Sequence, residues 1–457
     1  MVQYDSRFFQ APPVNLNPRL GFAYDVFGNG KMAIRGGFGV NHGNAYPIDT
    51  IANMTHTPPY FKAPQFFNTT FSTLQNATGF FTPQDVLTGV RVNKAPSTYN
   101  WSLGVQRELG KGFIMDVAYV GNVAHHQGAS SANVPSVDIN AVRPLTTWNP
   151  ATGVNRAYVD PTNATGGLYS ANLIRTLAGG YAGYGAVNYL QFICESLYDA
   201  LQVQINRRFG RNFQMASNWT WSKTIRYQRL AFVDDKLLKD VVNRPHAVNI
   251  NFGYRLPDVS RLLGRNHVVA KALLDGWNIN GTGSLYVGTP MTIGCSATNV
   301  PANLGNYWTG TPNANIGMPF RCQTTGSLWL PAGATPSSVG SNADPRLWYP
   351  FNRDNFVLPP ANSLGIGNTP PTLTYGPGFE NWDLSASKAF PLGKERSRNL
   401  ELRIETFNVL NHFNPSNPST ALTYNFATGA QTNAAFGSTT TAQNNPRQVS
   451  LSARVRF

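Results

Sequence analysis

Charge is scarce in this chain. Asp, Glu, Lys and Arg together make up only 13% of the 457 residues, about half the usual share for a soluble globular protein. Cysteine is scarcer still. Three cysteines cannot build a disulfide scaffold, and their spacing matches no metal site. Cys295 and Cys322 lie in one long loop and could pair, closing a loop worth roughly 3 kcal/mol of chain entropy. Cys194 is left over as a lone thiol. Long apolar runs are missing as well: no stretch approaches the ~18 consecutive apolar residues a membrane-spanning helix needs. The opening residues, Met1 to Asn15, lack the basic start and apolar core of a signal peptide. An exported chain of this kind is therefore expected to be a piece of something longer.

Turn-formers and rings are abundant, with 42 Gly, 32 Pro and 12% aromatics. With so few charges, that composition argues against a coiled coil, an all-helical bundle or a disordered chain. Thirty-six Lys and Arg against 22 Asp and Glu give +14, which can point to nucleic acid or to an anionic membrane surface. Nucleic-acid binders gather their cations on a stripe or an arm. Here they sit at short turns, as at Lys31, Lys111, Arg207, Arg208, Arg211, Lys271, Lys394 and Arg398. No nucleic-acid partner is expected.

Period-two alternation dominates the chain. Val449, Leu451, Ala453, Val455 and Phe457 share one face, and Gln448, Ser450, Ser452, Arg454 and Arg456 the other. Leu400, Leu402 and Ile404 alternate with Glu401, Arg403 and Glu405; Leu201, Val203, Ile205 and Phe209 alternate with Gln202, Gln204, Asn206 and Arg208. A pleated strand separates such sets cleanly, whereas a helix scatters them. The same reading predicts eleven strands, near 19–27, 31–40, 99–109, 112–121, 198–209, 212–222, 246–256, 276–288, 381–390, 399–408 and 447–457.

Their connections alternate in size. Five are short: Gly28-Asn29-Gly30, Gly110-Lys111, Gly210-Arg211, Pro257 to Asp275 and Pro391 to Arg398. The others, 41–98, 122–197, 223–245, 289–380 and 409–446, are long and rich in Asn, Thr, Gly and Pro. Several such loops argue against a compact soluble domain. A membrane β-barrel has this asymmetry, with tight turns on the periplasmic side and long extracellular loops. The strand lengths suit a tilted crossing of about 9–11 residues. The expected fold is therefore an all-β, antiparallel transmembrane β-barrel.

Energetics orients the strands. Turning Glu401, Arg403 and Glu405 into lipid would cost of order 5–10 kcal/mol, so Leu400, Leu402 and Ile404 are expected to face hydrocarbon. Gln202, Gln204, Asn206, Arg208, Glu401, Arg403 and Glu405 are the candidate lumen residues. Tyr99, Trp101, Trp219, Trp221, Tyr254, Trp277, Trp382 and Phe390 stand near strand ends, where interfacial girdles lie. Arg107, Arg207 and Lys388 break the apolar phase, but each is close to a turn and can snorkel. With tight turns in the periplasm, Phe457 ends there, and an odd strand count leaves Met1 to Arg19 outside the cell. A complete barrel has an even count and both ends inside, so the parity also points to the C-terminal slice of a longer protein.

No catalytic constellation stands out. Gly104 to Lys111 imitates a phosphate-binding loop with one residue too many, and Gly112 stands where Ser or Thr is needed. His125-His126, placed in a loop, lacks the spacing of a helical metal pair. Ser450 and Ser452 have no nearby His. Neither cofactor nor metal is expected, and the chain does not read as an enzyme.

The blocks Asn17 to Tyr24, Ala118-Tyr119-Val120-Gly121, Tyr198-Asp199-Ala200-Leu201-Gln202, Arg244-Pro245-His246, Asp275-Gly276-Trp277, Gly288-Thr289-Pro290, Gly376-Pro377-Gly378-Phe379 and Glu405 to His412 resemble the Oar-like branch of TonB-dependent outer-membrane transporters. The resemblance implies a 22-stranded barrel, of which about 11–12 strands are visible. The whole of 1–457 would be the C-terminal portion of that barrel, with plug and signal peptide upstream and absent here. It implies outer-membrane lipid and lipopolysaccharide around the wall, and an extracellular ligand that the sequence does not identify. The TonB system would be reached only through the missing plug. Val449, Leu451, Val455 and Phe457 resemble the terminal signal read by the barrel assembly machinery. Two further readings stay open: a surface adhesion or scaffold barrel, and a passive porin.

Overall fold

The computed structural model describes residues 14–43, 95–127, 194–207, 212–229, 237–262, 268–298, 322–331, 347–358, 367–370, 372–392, 398–425 and 428–456, with short stretches between 56 and 89 and between 137 and 190. Eleven strands run through one antiparallel wall. They are β1 (Arg19–Asp25), β2 (Met32–His42), β3 (Ser97–Gly110), β4 (Phe113–Gln127), β5 (Cys194–Arg207) and β6 (Phe213–Arg229). The wall continues with β7 (His246–Arg255), β8 (Asn278–Tyr286), β9 (Phe379–Pro391), β10 (Asn399–Phe407) and β11 (Gln448–Arg456). Each strand pairs with its sequence neighbour, and Leu237–Val241 adds a twelfth strand on the end of β6. All eleven predicted strands are present; nine lie within four residues of their expected ends, while β4 and β6 run six and seven residues further, to Gln127 and Arg229.

The pairing register carries the alternation from strand to strand. Leu103, Tyr119, Leu201, Trp221 and His246 follow one another across β3 to β7. On the opposite face runs Gln106, Asp116, Gln204, Asn218, Asn249, Ser284 and Asn381. The wall thus has a predominantly apolar and a polar face, with charged exceptions such as Asp199 and Lys388 on the apolar one. Among the described residues no second layer packs on the apolar face: Leu103 is 54% exposed, Trp221 53% and Leu451 76%. Rings on this face lie over cross-strand glycines, Phe22 over Gly36, Trp101 over Gly121 and Trp382 over Gly283, which accounts for Gly36 in the glycine-rich stretch Arg35 to Val40.

Two corrections concern the connections. The stretch Pro257 to Asp275, read as a plain turn, contains two short helices, α1 (Val259–Leu262) and α2 (Val268–Leu274). His125 and His126 belong to β4 rather than to a loop. The register shifts between Ala124 and Gln127, and His126 takes a left-handed φ of 53°. Among the described residues no helix is long and apolar enough to cross a membrane.

The buried core lies away from the wall, in the long connections after β8 and β10. Met291, Ile293, Cys295, Cys322, Phe351, Phe356, Leu422, Tyr424 and Phe436 form one cluster. Short pairings hold it: Pro290–Met291 with Thr374–Tyr375, Gln323–Thr324 with Phe356–Val357, and a parallel pair between Gly294–Thr298 and Ala421–Asn425. Cys295 and Cys322 are joined in a disulfide with Cα atoms 5.3 Å apart.

Candidate functional site: the polar face and its loop module

The candidate lumen residues fall on the polar face in two groups. Gln202, Gln204 and Asn206 project from β5, and Glu401, Arg403 and Glu405 from β10, five strands away in the wall. Arg208 and Phe457 lie outside the described residues. A trough of about 800 Å³ joins the two groups, since Asn206 lines one end and Glu405 the other. Between them its polar lining comes from Gln214, Asn251, Asn280, Thr282, Asp383 and Ser385. Sequence reasoning had not singled these out. Their signal was the same alternation, Asn278, Asn280, Thr282 and Ser284 on β8 and Asn381, Asp383, Ser385 and Ser387 on β9.

Around Arg403 the charges on this face pair with one another. The Arg403 guanidinium reaches Glu401 at 2.9 Å and Glu405 at 3.5 Å, and Arg456 reaches the second Glu401 oxygen at 3.3 Å. Residues two apart on a strand share a face, so one arginine bridges both carboxylates. Asp383 is also committed: its carboxylate accepts from the Asn381 amide at 2.9 Å and from the Asn408 backbone N–H at 2.8 Å. These groups present a neutralised, hydrogen-bonding surface, with no unpaired nucleophile beside a base.

Several of the family-like blocks meet in pairs. The Tyr119 hydroxyl donates to Asp199 at 2.5 Å. Gly288 packs so closely on Gly376 that a Cβ would stand 1.9 Å from the Gly376 carbonyl oxygen; only glycine allows that backbone approach. His246 stacks on Trp219 and Trp221, with ring centroids 6.0 and 6.1 Å away. Arg244 places its guanidinium 5.5 Å from the Tyr286 ring centroid. Asn408 turns the chain out of β10 at φ 48°, its side chain bonding His412 and Asn445. These blocks are junctions of the fold.

The loop module stands over the end of the wall carrying the long connections. Asn414 brackets the backbone of Glu380, accepting from its N–H at 2.8 Å and donating to its carbonyl at 2.7 Å. Tyr424 is buried and donates to the Phe356 carbonyl at 2.5 Å; that burial drives its phenol pKa well above the usual value. Burial also raises Tyr349. Trp329 stacks on Phe351 at 5.3 Å while staying 37% exposed, so an aromatic edge of the module faces outward.

At the tight-turn end, Lys388 does not snorkel to water as expected. It is 4% exposed, donates to the Asp275 carbonyl, and sits 5.2 Å from the Phe390 ring centroid and 5.8 Å from that of Trp277. Its neighbour across the strands is Leu402, on the apolar face. The connection after β7 covers this cation, so it has no path to solvent. Arg207 also lies against rings, 5.0 and 5.3 Å from those of Phe113 and Phe213, but it is only half-buried and donates to the Lys111 carbonyl in the turn at 3.1 Å. Among the described residues no three His, Cys, Asp or Glu side chains cluster as a metal site.

Solved structures with similar traces include the outer membrane transporter YddB from Escherichia coli, 11% identical, with a TM-score of 0.41 over 97% of this chain and 41% of that one. The ferripyoverdine receptor of Pseudomonas aeruginosa is 11% identical, with a TM-score of 0.39 over 96% and 33%. The FrpB iron transporter from Neisseria meningitidis (F3-3 variant) is 13% identical, with a TM-score of 0.40 over 96% and 38%. The chain spans at most 41% of the length of these three structures. No curated protein matches its sequence. A family model, the outer membrane beta barrel domain, matches residues 2–450. With a two-faced antiparallel wall and a match of that extent, the chain belongs to the outer membrane β-barrel domain family.

Proposed function

We propose that this outer-membrane β-barrel chain is the C-terminal part of the barrel of a TonB-dependent receptor-transporter. Its apolar face meets hydrocarbon, and its polar face lines the passage. The loop module captures an extracellular ligand, and the ligand then moves along the Asn206-to-Glu405 trough. The observation that carries this reading is the split wall: an unpacked apolar band on one face, a hydrogen-bonding trough on the other. The assignment to the TonB-dependent class rests on the Oar-like blocks. In this reading the tight turns and the C-terminus are periplasmic, the barrel assembly machinery reads the β11 end, and the TonB system acts through an upstream plug.

Both outer strands of the wall support an incomplete barrel. Every residue of β1 and β11 is exposed, and the two are not paired with each other. Bare edges invite further pairing, and more strands of a longer chain would close them. Two measurements test the proposal. The denatured protein taken from outer membranes should exceed 50.0 kDa; a 50.0 kDa species forming stable pores would instead support the passive porin. Ligand uptake should vanish when TonB is deleted, whereas surface binding that survives as the sole activity would support an adhesion barrel.

A further inference from the structure

The connection between β7 and β8 does more than turn the chain. Its two ends are stapled: the Asp275 carboxylate accepts from the Ser260 backbone N–H at 2.8 Å and its hydroxyl at 2.6 Å, and Ser260 is fully buried. The Trp277 indole donates to the Leu273 carbonyl at 2.9 Å, tying the C-terminal end of α2 to the first residues of the next strand. From the wall, Lys388 donates to the Asp275 carbonyl between the Trp277 and Phe390 rings. Lys388 stands on the apolar face, beside Leu402. These contacts fix the end of α2 at the rim of that face.

So placed, α2 exposes the wrong side chains for water. Val269 and Leu273 are one helical turn apart and share a face, yet they are 68% and 58% exposed. Lys271, two residues from each, is exposed on the other side of the helix. Helices that rest in a bilayer interface set apolar residues into the boundary between headgroup and acyl chain and lift their cations out. Trp277 and Phe390 sit at the same rim, where interfacial girdles lie. Through Trp277 and Asp275 the end of the helix carrying the exposed pair is tied to the rim where the wall's apolar face ends.

We infer that α2 is a membrane-surface anchor, with Val269 and Leu273 inserted among the phospholipids of the leaflet at the tight-turn end. This rests on the reading that the apolar wall face meets hydrocarbon. The test uses the complete outer-membrane protein that carries this wall, with Cys194→Ser, reconstituted in phosphatidylcholine vesicles. A fluorophore sensitive to polarity is attached at Leu273→Cys, and separately at Leu103→Cys in the wall. The Leu273 label should shift to the blue and be quenched by lipids doxyl-labelled near the headgroup, with little quenching by aqueous iodide. The Leu103 label should respond to doxyl groups deep in the acyl chain. Iodide quenching at Leu273 beside lipid quenching at Leu103 overturns the anchor and leaves the wall reading intact. Protection at Leu273 from both quenchers also overturns it, because a protein surface then covers the helix. If Leu103 too escapes lipid, the wall reading falls and the anchor falls with it.

Discussion

Asn408 shows how much one side chain can hold. It is 4% exposed, takes a left-handed backbone, accepts from the His412 N–H at 2.9 Å, and donates to the carbonyls of His412 and Asn445 at 3.1 and 3.0 Å. Asn tolerates this conformation better than most residues. Replacing it with Ala strains the backbone and leaves buried polar groups unpaired, at a cost of about 1–3 kcal/mol. Asn408→Asp keeps the acceptor but turns a buried carboxylate toward both carbonyls, so it should be at least as destabilising as Asn408→Ala in thermal unfolding at neutral pH. Asp275 supports a prediction of a different kind. Hydrogen bonds from the Ser260 hydroxyl and N–H hold its carboxyl below the usual carboxylate range, with Lys388 and Lys271 adding to the effect. A depressed folded pKa means that the stabilisation is complete above the unfolded value of about 3.9 and fades as pH falls through the lower folded value. The difference in melting temperature between wild type and Asp275→Asn should therefore be constant from pH 7 to about 5, then shrink toward pH 3. A difference that grew on acidification would contradict the hydrogen-bond geometry.

The loop module behaves as a small disulfide-stapled domain on strand ends. Cys295 and Cys322 close a loop of 27 residues' separation inside a cluster of buried aromatics. Opening it in Cys295→Ser/Cys322→Ser should cost the module roughly 3–4 kcal/mol. Trypsin should then cut after Arg353, whose guanidinium donates to the Gln431 carbonyl at 3.1 Å, while the wall keeps its protease resistance. Equal loss of both would mean that module and wall unfold as one. The same contrast explains what was legible beforehand. All eleven wall strands could be read because alternation records, residue by residue, two different surroundings on two faces. The Cys295–Cys322 pair could be raised from its place in one loop. The module could not be read, because it is built from two-residue pairings and from contacts such as Ser296 to Thr423, 127 residues apart. Gln202, Gln204 and Asn206 were found on the polar face, and so were Glu401, Arg403 and Glu405. The trough between them was not, because alternation shows which face a residue takes but not which strands lie between.

What distinguishes a membrane wall from an ordinary sandwich is how the penalty for a buried charge varies with depth. In β10, Ile404 lies near mid-strand and Leu400 near the tight-turn end, both on the apolar face with Leu451 and Val455 as neighbours on β11. An arginine in the middle of the hydrocarbon costs about 2–4 kcal/mol, falling to about 0–1 near the interface, where its head can reach water. Ile404→Arg should therefore weaken folding into bilayers by the larger amount and Leu400→Arg by the smaller. Arg403→Leu changes the other face. It removes contacts to Glu401 and Glu405, but Arg456 still pairs with Glu401, and exposed pairs of this kind contribute about 1 kcal/mol or less. The expected order of destabilisation has Ile404→Arg well above both others. Reversible unfolding from phosphatidylcholine bilayers measures all three. Thinner bilayers should lower the Ile404→Arg cost toward that of Leu400→Arg, because they bring mid-strand closer to water. A dry protein core would show no such dependence, and a cost for Ile404→Arg indifferent to lipid length would remove the hydrocarbon from the account.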